Sequence, residues 1–240
     1  MLGDIYKQTG RISESLVASQ KSLQLTPHDA EAHNNLGVTL KELGRLKEAE
    51  ASYTQAITLK PDDAAVKHLL AALTGNTTKS APRVYVEKLF DNYAAKFDLS
   101  LVDNLEYKIP TIITQIILKN NNDSSLGSVL DLGCGTGLFG IEIKKYCEYL
   151  ESIDLSEKML DKAKEKNVYD KLIKKDIVAY LSNESLNFDY FISTDVFIYI
   201  GDLSEVFRLI KSRNKTGGKL AFSTENYDGD GFFLEQSGRY

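Results

Sequence analysis

The sequence predicts two structures in tandem, a set of helical hairpin repeats followed by an α/β domain built on a parallel sheet. Three observations carry that reading: a 34-residue self-similarity near the start, five short apolar runs separated by helical stretches after residue 83, and a glycine-rich turn closing the first of those runs. At 240 residues, 42% hydrophobic and 26% charged, the chain is long enough and apolar enough for both.

Leu2, Gly3, Tyr6, Gly10 and Pro27 recur 34 residues later as Leu36, Gly37, Leu40, Gly44 and Pro61. In the complete copy the small residues Gly37, Ala49 and Ala56 let two helices approach, Gly44 makes the turn, and Pro61 ends the second helix. Together with His33 and Tyr53, this pattern resembles the tetratricopeptide repeat family over roughly residues 1–75, with His33 where tryptophan is usual and Leu40 where tyrosine is usual. The first copy lacks its opening six positions. A third is half written, one amphipathic helix over Asp63 to Leu73. The expected organisation is repeats over 1–74, a linker over 75–82 where Gly75 to Pro82 breaks the pattern, and a second domain over 83–240.

From Arg83 the chain reads as helix over Val84 to Phe97, with Val86, Leu89, Phe90, Tyr93 and Phe97 on one face, then helix near Thr111 to Lys119 and a loop over 120–125. Strands are expected at Ser128–Leu132, Tyr149–Ile153, Lys171–Lys175, Asp189–Ser193 and Lys219–Ser223. Helices fall between them at Leu138–Tyr146, Lys158–Lys166, Ile177–Leu181 and Leu203–Lys211. Such alternation produces a parallel sheet covered on both faces.

In such a sheet ligands sit beyond the carboxyl ends of the strands. The first strand-to-helix turn is Asp131-Leu132-Gly133-Cys134-Gly135-Thr136-Gly137, whose alternating glycines clear side chains so that a ligand can lie on the backbone. Gly135, Gly137 and Gly140 also fit the dinucleotide spacing, with Asp154 as the ribose acid. Asp131 argues against that choice, because a carboxylate beside the loop repels a pyrophosphate and attracts an ammonium.

Those residues resemble the first motif of the class I S-adenosylmethionine-dependent methyltransferases, and the resemblance extends over about residues 83–225. It implies a Rossmann-like doubly wound sheet of order 3-2-1-4-5 whose last two strands are missing, so that the chain is read as a fragment. It also implies S-adenosyl-L-methionine as cofactor, held by Tyr93, Asp131, Gly133, Cys134, Gly135, Gly137, Asp154, Leu155, Met159, Asp176, Ile177 and Thr194. Asp154 would take the ribose hydroxyls, Asp176 the adenine amino group, and Ile177 the adenine ring through its backbone. Lys171, Lys174 and Lys175 surround Asp176, which leaves a solvated surface acid as the alternative reading. The segment from Leu89 to Asp98, with Leu105, Tyr107 and Pro110, is similar to the lid helices of a bacterial subgroup that fuses tetratricopeptide repeats to this domain. Asp195 and Tyr199, after the fourth strand, are the candidates for assisting an acceptor. The loop Thr194-Asp195-Val196-Phe197 departs from the Asn/Asp-Pro-Pro-Tyr loop that positions planar amides and adenine amines. Two readings stand beside methyl transfer: a non-catalytic repeat scaffold with a cofactor-binding domain, and a nicotinamide oxidoreductase.

Charge and composition exclude other classes. Net charge is −5, and residues 1–80 carry nine basic and nine acidic side chains, so no basic stripe offers itself to nucleic acid. Cys134 and Cys147, with three histidines, supply neither a disulfide framework nor a metal site, and a cytoplasmic location is expected. The apolar stretch Ile109 to Leu118 is far shorter than the roughly 20 residues a bilayer needs. The resemblance to tetratricopeptide repeats implies a protein partner or the substrate docked on the repeats, with the methyl acceptor either a protein or a small molecule.

Overall fold

The computed structural model describes residues 11–104, 107–121 and 125–240. The first-copy positions Leu2, Gly3, Tyr6 and Gly10 lie outside the described residues, as do Leu105 and residues 122–124 of the loop before the first strand. Two compact units emerge, residues 1–82 with 233–239, and residues 83–232 with Tyr240.

In the first unit, helices α1 (Ile12–Leu25), α2 (Ala30–Glu42), α3 (Leu46–Leu59) and α4 (Ala64–Thr74) follow one another as hairpins. Asp29 and Asp63 cap α2 and α4 by accepting from free backbone N–H groups of the first turn. Gly37 is the point of closest approach: a Cβ there would stand 2.6 Å from the Tyr53 ring, so α2 and α3 can touch only because position 37 lacks one. Tyr53 and Ala49 are completely buried at that contact. Gly44, at φ +72°, turns the chain between the two helices.

Residues 233–239 depart from the expected organisation, which gave them to the second domain. They pack with the repeats: Leu234 is fully buried, its N–H donates to Thr77 Oγ1 at 3.3 Å, and the Gly238 carbonyl meets His68 Nε2 at 3.2 Å. Periodicity could not reveal this, because the contacts span more than 150 residues and the segment has no regular structure.

The second unit opens with α5 (Arg83–Tyr93), a 3-10 turn (Ala94–Lys96), a π turn (Leu99–Asn104) and α6 (Ile109–Lys119). Strands β1 (Ser128–Leu132), β2 (Tyr149–Asp154), β3 (Lys171–Lys174), β4 (Tyr190–Ser193) and β5 (Lys219–Phe222) form one sheet of order β3-β2-β1-β4-β5, parallel throughout. Between them lie α7 (Leu138–Ile143), α8 (Glu157–Glu165), α9 (Ile177–Asn183) and α10 (Ser204–Arg213). Alternate residues of each strand serve opposite cores. Leu130, Leu132 and Phe191 pack with Leu181 and Val206 on one face, while Val129, Leu150 and Ile192 pack with Phe139 and Ile143 on the other. Full burial of each such side chain stabilises the fold by about 1.5–3 kcal/mol before entropy is counted.

Element ends differ from the sequence reading for local reasons. Asp189 precedes β4 because its carboxylate accepts from Ser128 N and Ser128 Oγ, tying the start of β1 to that of β4. The predicted helix over 138–146 tightens into a 3-10 turn after Ile143. Inside β2, Glu151 is buried, its carboxylate held by the Tyr149 and Tyr180 hydroxyls at 2.7 and 2.6 Å and by Lys171 Nζ at 3.2 Å. Among the described residues β5 pairs with β4 alone, and Phe222 on it is 40% exposed.

Candidate functional site

The sheet reverses its winding at β1, which lies between β2 and β4, and this opens a crevice at the carboxyl ends. The loop after β1 enters that crevice with Gly133, Gly135 and Gly137 at φ +90°, +53° and +90°, values that a residue with a Cβ avoids. The Gly133 N–H donates to Ile153 O at 2.8 Å, which locks the loop to the end of β2. A Cβ at Gly133 would meet Val196 at 2.6 Å, whereas one at Gly135 would find only the Phe97 ring, 3.7 Å away.

Two acids flank the loop. Asp154, ending β2, accepts from Gly135 N at 2.9 Å through Oδ2 and from Ser156 N at 2.8 Å through Oδ1. Burial pushes its carboxyl up to about 6, opposed by those amides and that of Leu155 and assisted by nearby Asp91. Asp131, in β1, is wholly buried; its Oδ2 accepts from the Tyr169 hydroxyl at 2.6 Å, and among the described residues its Oδ1 has no hydrogen-bond partner. Burial pushes its carboxyl up to about 7, with the Tyr169 hydrogen bond opposing and Asp154 adding. An unpartnered buried acceptor of this kind is costly and marks a place where a donor is wanted.

A cover lies over the loop. Asp91 on α5 accepts from Ser156 Oγ at 2.5 Å, the same serine that caps α8 by accepting from Met159 N. Asp98 accepts from Thr136 Oγ1, and Lys166 Nζ binds both Asp98 Oδ2, at 2.7 Å, and Thr136 O, at 2.8 Å. Phe97 faces Gly135, with Tyr93 and Phe90 edge-on to it at 5.5 and 6.3 Å.

The predicted residues therefore divide. Asp131, Gly133, Gly135, Gly137 and Asp154 converge on the crevice, with Leu155 beside them. Cys134 is buried against Leu160 and Ala163, and burial holds its thiol well above the usual range, so it acts as a small apolar residue. Met159 has no exposed surface and belongs to the core under the site. Asp176 caps α9 by accepting from Ala179 N and pairs with Arg83 at 2.7 Å. The three lysines around it in sequence pair elsewhere, with Glu151, Glu87 and Glu184. Ile177 packs its side chain into the sheet core. Tyr93 packs edge-on against Phe97, which is the ring nearest the loop glycine Gly135.

At the end of β4, Asp195 has φ +54°, an uncommon conformation for a residue with a side chain. Ser223 holds it there, donating from Oγ to Asp195 Oδ1 at 2.6 Å and accepting from Asp195 N at 2.7 Å. The Tyr107 hydroxyl reaches Asp195 and Thr194, and burial first, then the Asp195 charge, raises its pKa. Tyr199 is edge-on to Phe90 at 5.2 Å.

Sequence reasoning missed Tyr169 and Lys166 and gave Asp98 a place in the lid segment but no contact of its own. One sign of Tyr169 was available: Gly140 sits inside α7, where a Cβ would be 2.5 Å from the Tyr169 ring, so it is a packing glycine for the residue that holds Asp131.

Residues 123–235 match the family model described as a methyltransferase domain, and residues 30–63 and 3–44 match two models of tetratricopeptide repeats. The chain is 30% identical over 144 residues to malonyl-[acyl-carrier protein] O-methyltransferase 1 of Ilyobacter polytropus, covering 57% of this chain and 48% of that protein. It is 28% identical over 122 residues to the ubiquinone biosynthesis O-methyltransferase of Coxiella burnetii, covering 50% of each. The chain thus spans about half the length of these relatives. In fold it is similar to DhpI in its complex with SAH, with a TM-score of 0.51 at 16% identity over 64% of this chain and 78% of that one. By these matches the chain is similar to tetratricopeptide repeats over residues 3–63 and to a methyltransferase domain over residues 123–235.

Proposed function

We infer that this chain catalyses transfer of a methyl group from S-adenosylmethionine to an acceptor held at the carboxyl ends of β4 and β5, with the repeats docking a protein partner or protein substrate. The observation that carries the reading is Asp131 Oδ1, a buried acceptor with no partner beside a loop cleared by three glycines. That pairing fits a cationic ligand carrying an ammonium and opposes a pyrophosphate. When bound, S-adenosylmethionine supplies an electrophilic methyl on a positively charged sulfur that leaves as a thioether. The protein's work is then alignment and exclusion of water. Asp131 would hold the ammonium, the Gly133–Gly137 backbone the chain of the ligand, and Asp154, already fixed by Gly135 and Ser156, the ribose hydroxyls. Asp91, Asp98 and Lys166 keep the cover over that loop.

Both named relatives are O-methyltransferases, which supports an oxygen nucleophile. For a hydroxyl acceptor, Asp195, oriented by Ser223 and faced by Tyr107, would be the candidate to take the proton. The test is a thermal-shift panel with S-adenosylmethionine, S-adenosylhomocysteine and NAD, followed by assay of S-adenosylhomocysteine formation with candidate acceptors. Stabilisation by the first two and not by NAD is expected. Stabilisation by NAD alone would overturn the reading, and tight cofactor binding without turnover on any acceptor would support the scaffold.

A further inference from the structure

Residues 233–239 meet the repeats as a ligand would. Two helices and the strand-free stretch after them each contribute one polar group, and each addresses main chain: Thr77 Oγ1 accepts from Leu234 N, Lys41 Nζ donates to Gln236 O, and His68 Nε2 donates to Gly238 O. His68 is held in that orientation by Thr78 Oγ1 at its other nitrogen, 3.3 Å away, and is only 2% exposed. Leu234 supplies the apolar anchor. After it the segment turns on itself, with Gly238 N donating to Glu235 O at 2.9 Å and Glu235 N to Arg239 O at 2.8 Å. Gly238 has φ +88°, so the turn calls for glycine at its fourth position, four residues after Leu234. A half-buried lysine and a buried histidine are poor ways to cover a helical surface, since both must be desolvated, but good ways to read carbonyl oxygens. The segment is reached through residues 224–232, which have no helix or strand, so it is tethered and not built into the hairpins.

We propose that the repeats carry a peptide-binding site, filled in this chain by residues 233–239, that accepts from a protein partner a leucine followed by a glycine-containing turn, Leu-x-x-x-Gly. This rests on the reading that the repeats dock a protein. Anchor specificity comes from Leu234 and turn specificity from Gly238. Lys41 and His68 read backbone and tolerate variation at the positions between. A partner must displace the resident segment, whose tether gives it an effective concentration on the order of millimolar.

The test uses the full chain, with L234D to expel the resident segment and a fluorescein-labelled synthetic peptide of residues 232–240 as probe. Fluorescence anisotropy should show the peptide binding L234D at least about tenfold more tightly than the native chain. Adding K41M to L234D should weaken that binding about fivefold, and a probe with the same Leu→Asp change should not bind. Equal affinity for the native chain and L234D, or absence of binding to both, overturns the proposal. Loss of the repeats' helical circular dichroism in L234D also overturns it, since the segment would then be a structural cap. A partner protein that binds equally with and without L234D would refute this site while leaving docking by the repeats intact.

Discussion

Asp131 and Asp154 stand near the same end of neighbouring parallel strands, and burial raises both, yet they are held in opposite ways. Asp154 is saturated by backbone amides of the loop it supports, so it belongs to the scaffold of the site as much as to its chemistry. Asp131 has one tyrosine hydroxyl on Oδ2 and, among the described residues, no donor on Oδ1, so it is the acid left open to a ligand. The difference teaches that two acids with similar sequence signatures can be a brace and a receptor. Substitutions around them separate the roles.

The largest effect should come from the loop. G133A places a methyl 2.6 Å from Val196 at a positive φ and should weaken S-adenosylmethionine binding at least about 100-fold in calorimetry. G135A, with its nearest neighbour 3.7 Å away, should cost about tenfold. Equal losses would show that strain and not Val196 governs the loop. Next, D154A should cost roughly 1.5–3 kcal/mol of binding and also lower the melting temperature of the ligand-free chain, because Gly135 and Ser156 lose their acceptor. An unchanged melting temperature would remove the bracing role.

The ligand-free chain should also lose stability as pH rises. A folded carboxyl raised to about 6 or about 7 keeps a proton that the unfolded chain has released; its contribution is complete below the ordinary carboxylate range and lost as pH climbs through those two values. Melting temperature should therefore fall between pH 5 and 8, less steeply with S-adenosylmethionine present. D131N should flatten that slope while weakening the cofactor, and a slope unaltered in D131N would assign the titration elsewhere. The smallest effect is Y169F, about 0.5–1.5 kcal/mol of stability, read by denaturant unfolding.

The strands, the glycine loop and both acids were legible because their signals are local: alternation within five residues, a glycine where no Cβ fits, an acid at a strand end. Residues that act through distant partners were not. Asp91 and Asp98 look like solvent-facing acids on a helix until Ser156, Thr136 and Lys166, some 40 to 70 positions away, are brought to them. Asp176 misled in the other direction, since its neighbours in sequence are lysines yet Arg83 is the partner it takes. The segment 233–239 was hidden because main-chain recognition leaves no mark on side-chain pattern.

The buried Glu151 has a consequence for the order in which the sheet assembles. It lies on β2, where Tyr149 donates to one oxygen, but its other oxygen is satisfied from β3, through Lys171, and from α9, through Tyr180. Covering that face of β2 before those partners arrive would bury a carboxyl group short of its donors, which is unfavourable. A β1–β2 pair closed over on that face is thus a poor resting point for a partly folded chain. Closure of β3 and α9 becomes the step that commits the edge of the sheet, and β2, β3 and α9 should exchange their amide hydrogens as one cooperative unit.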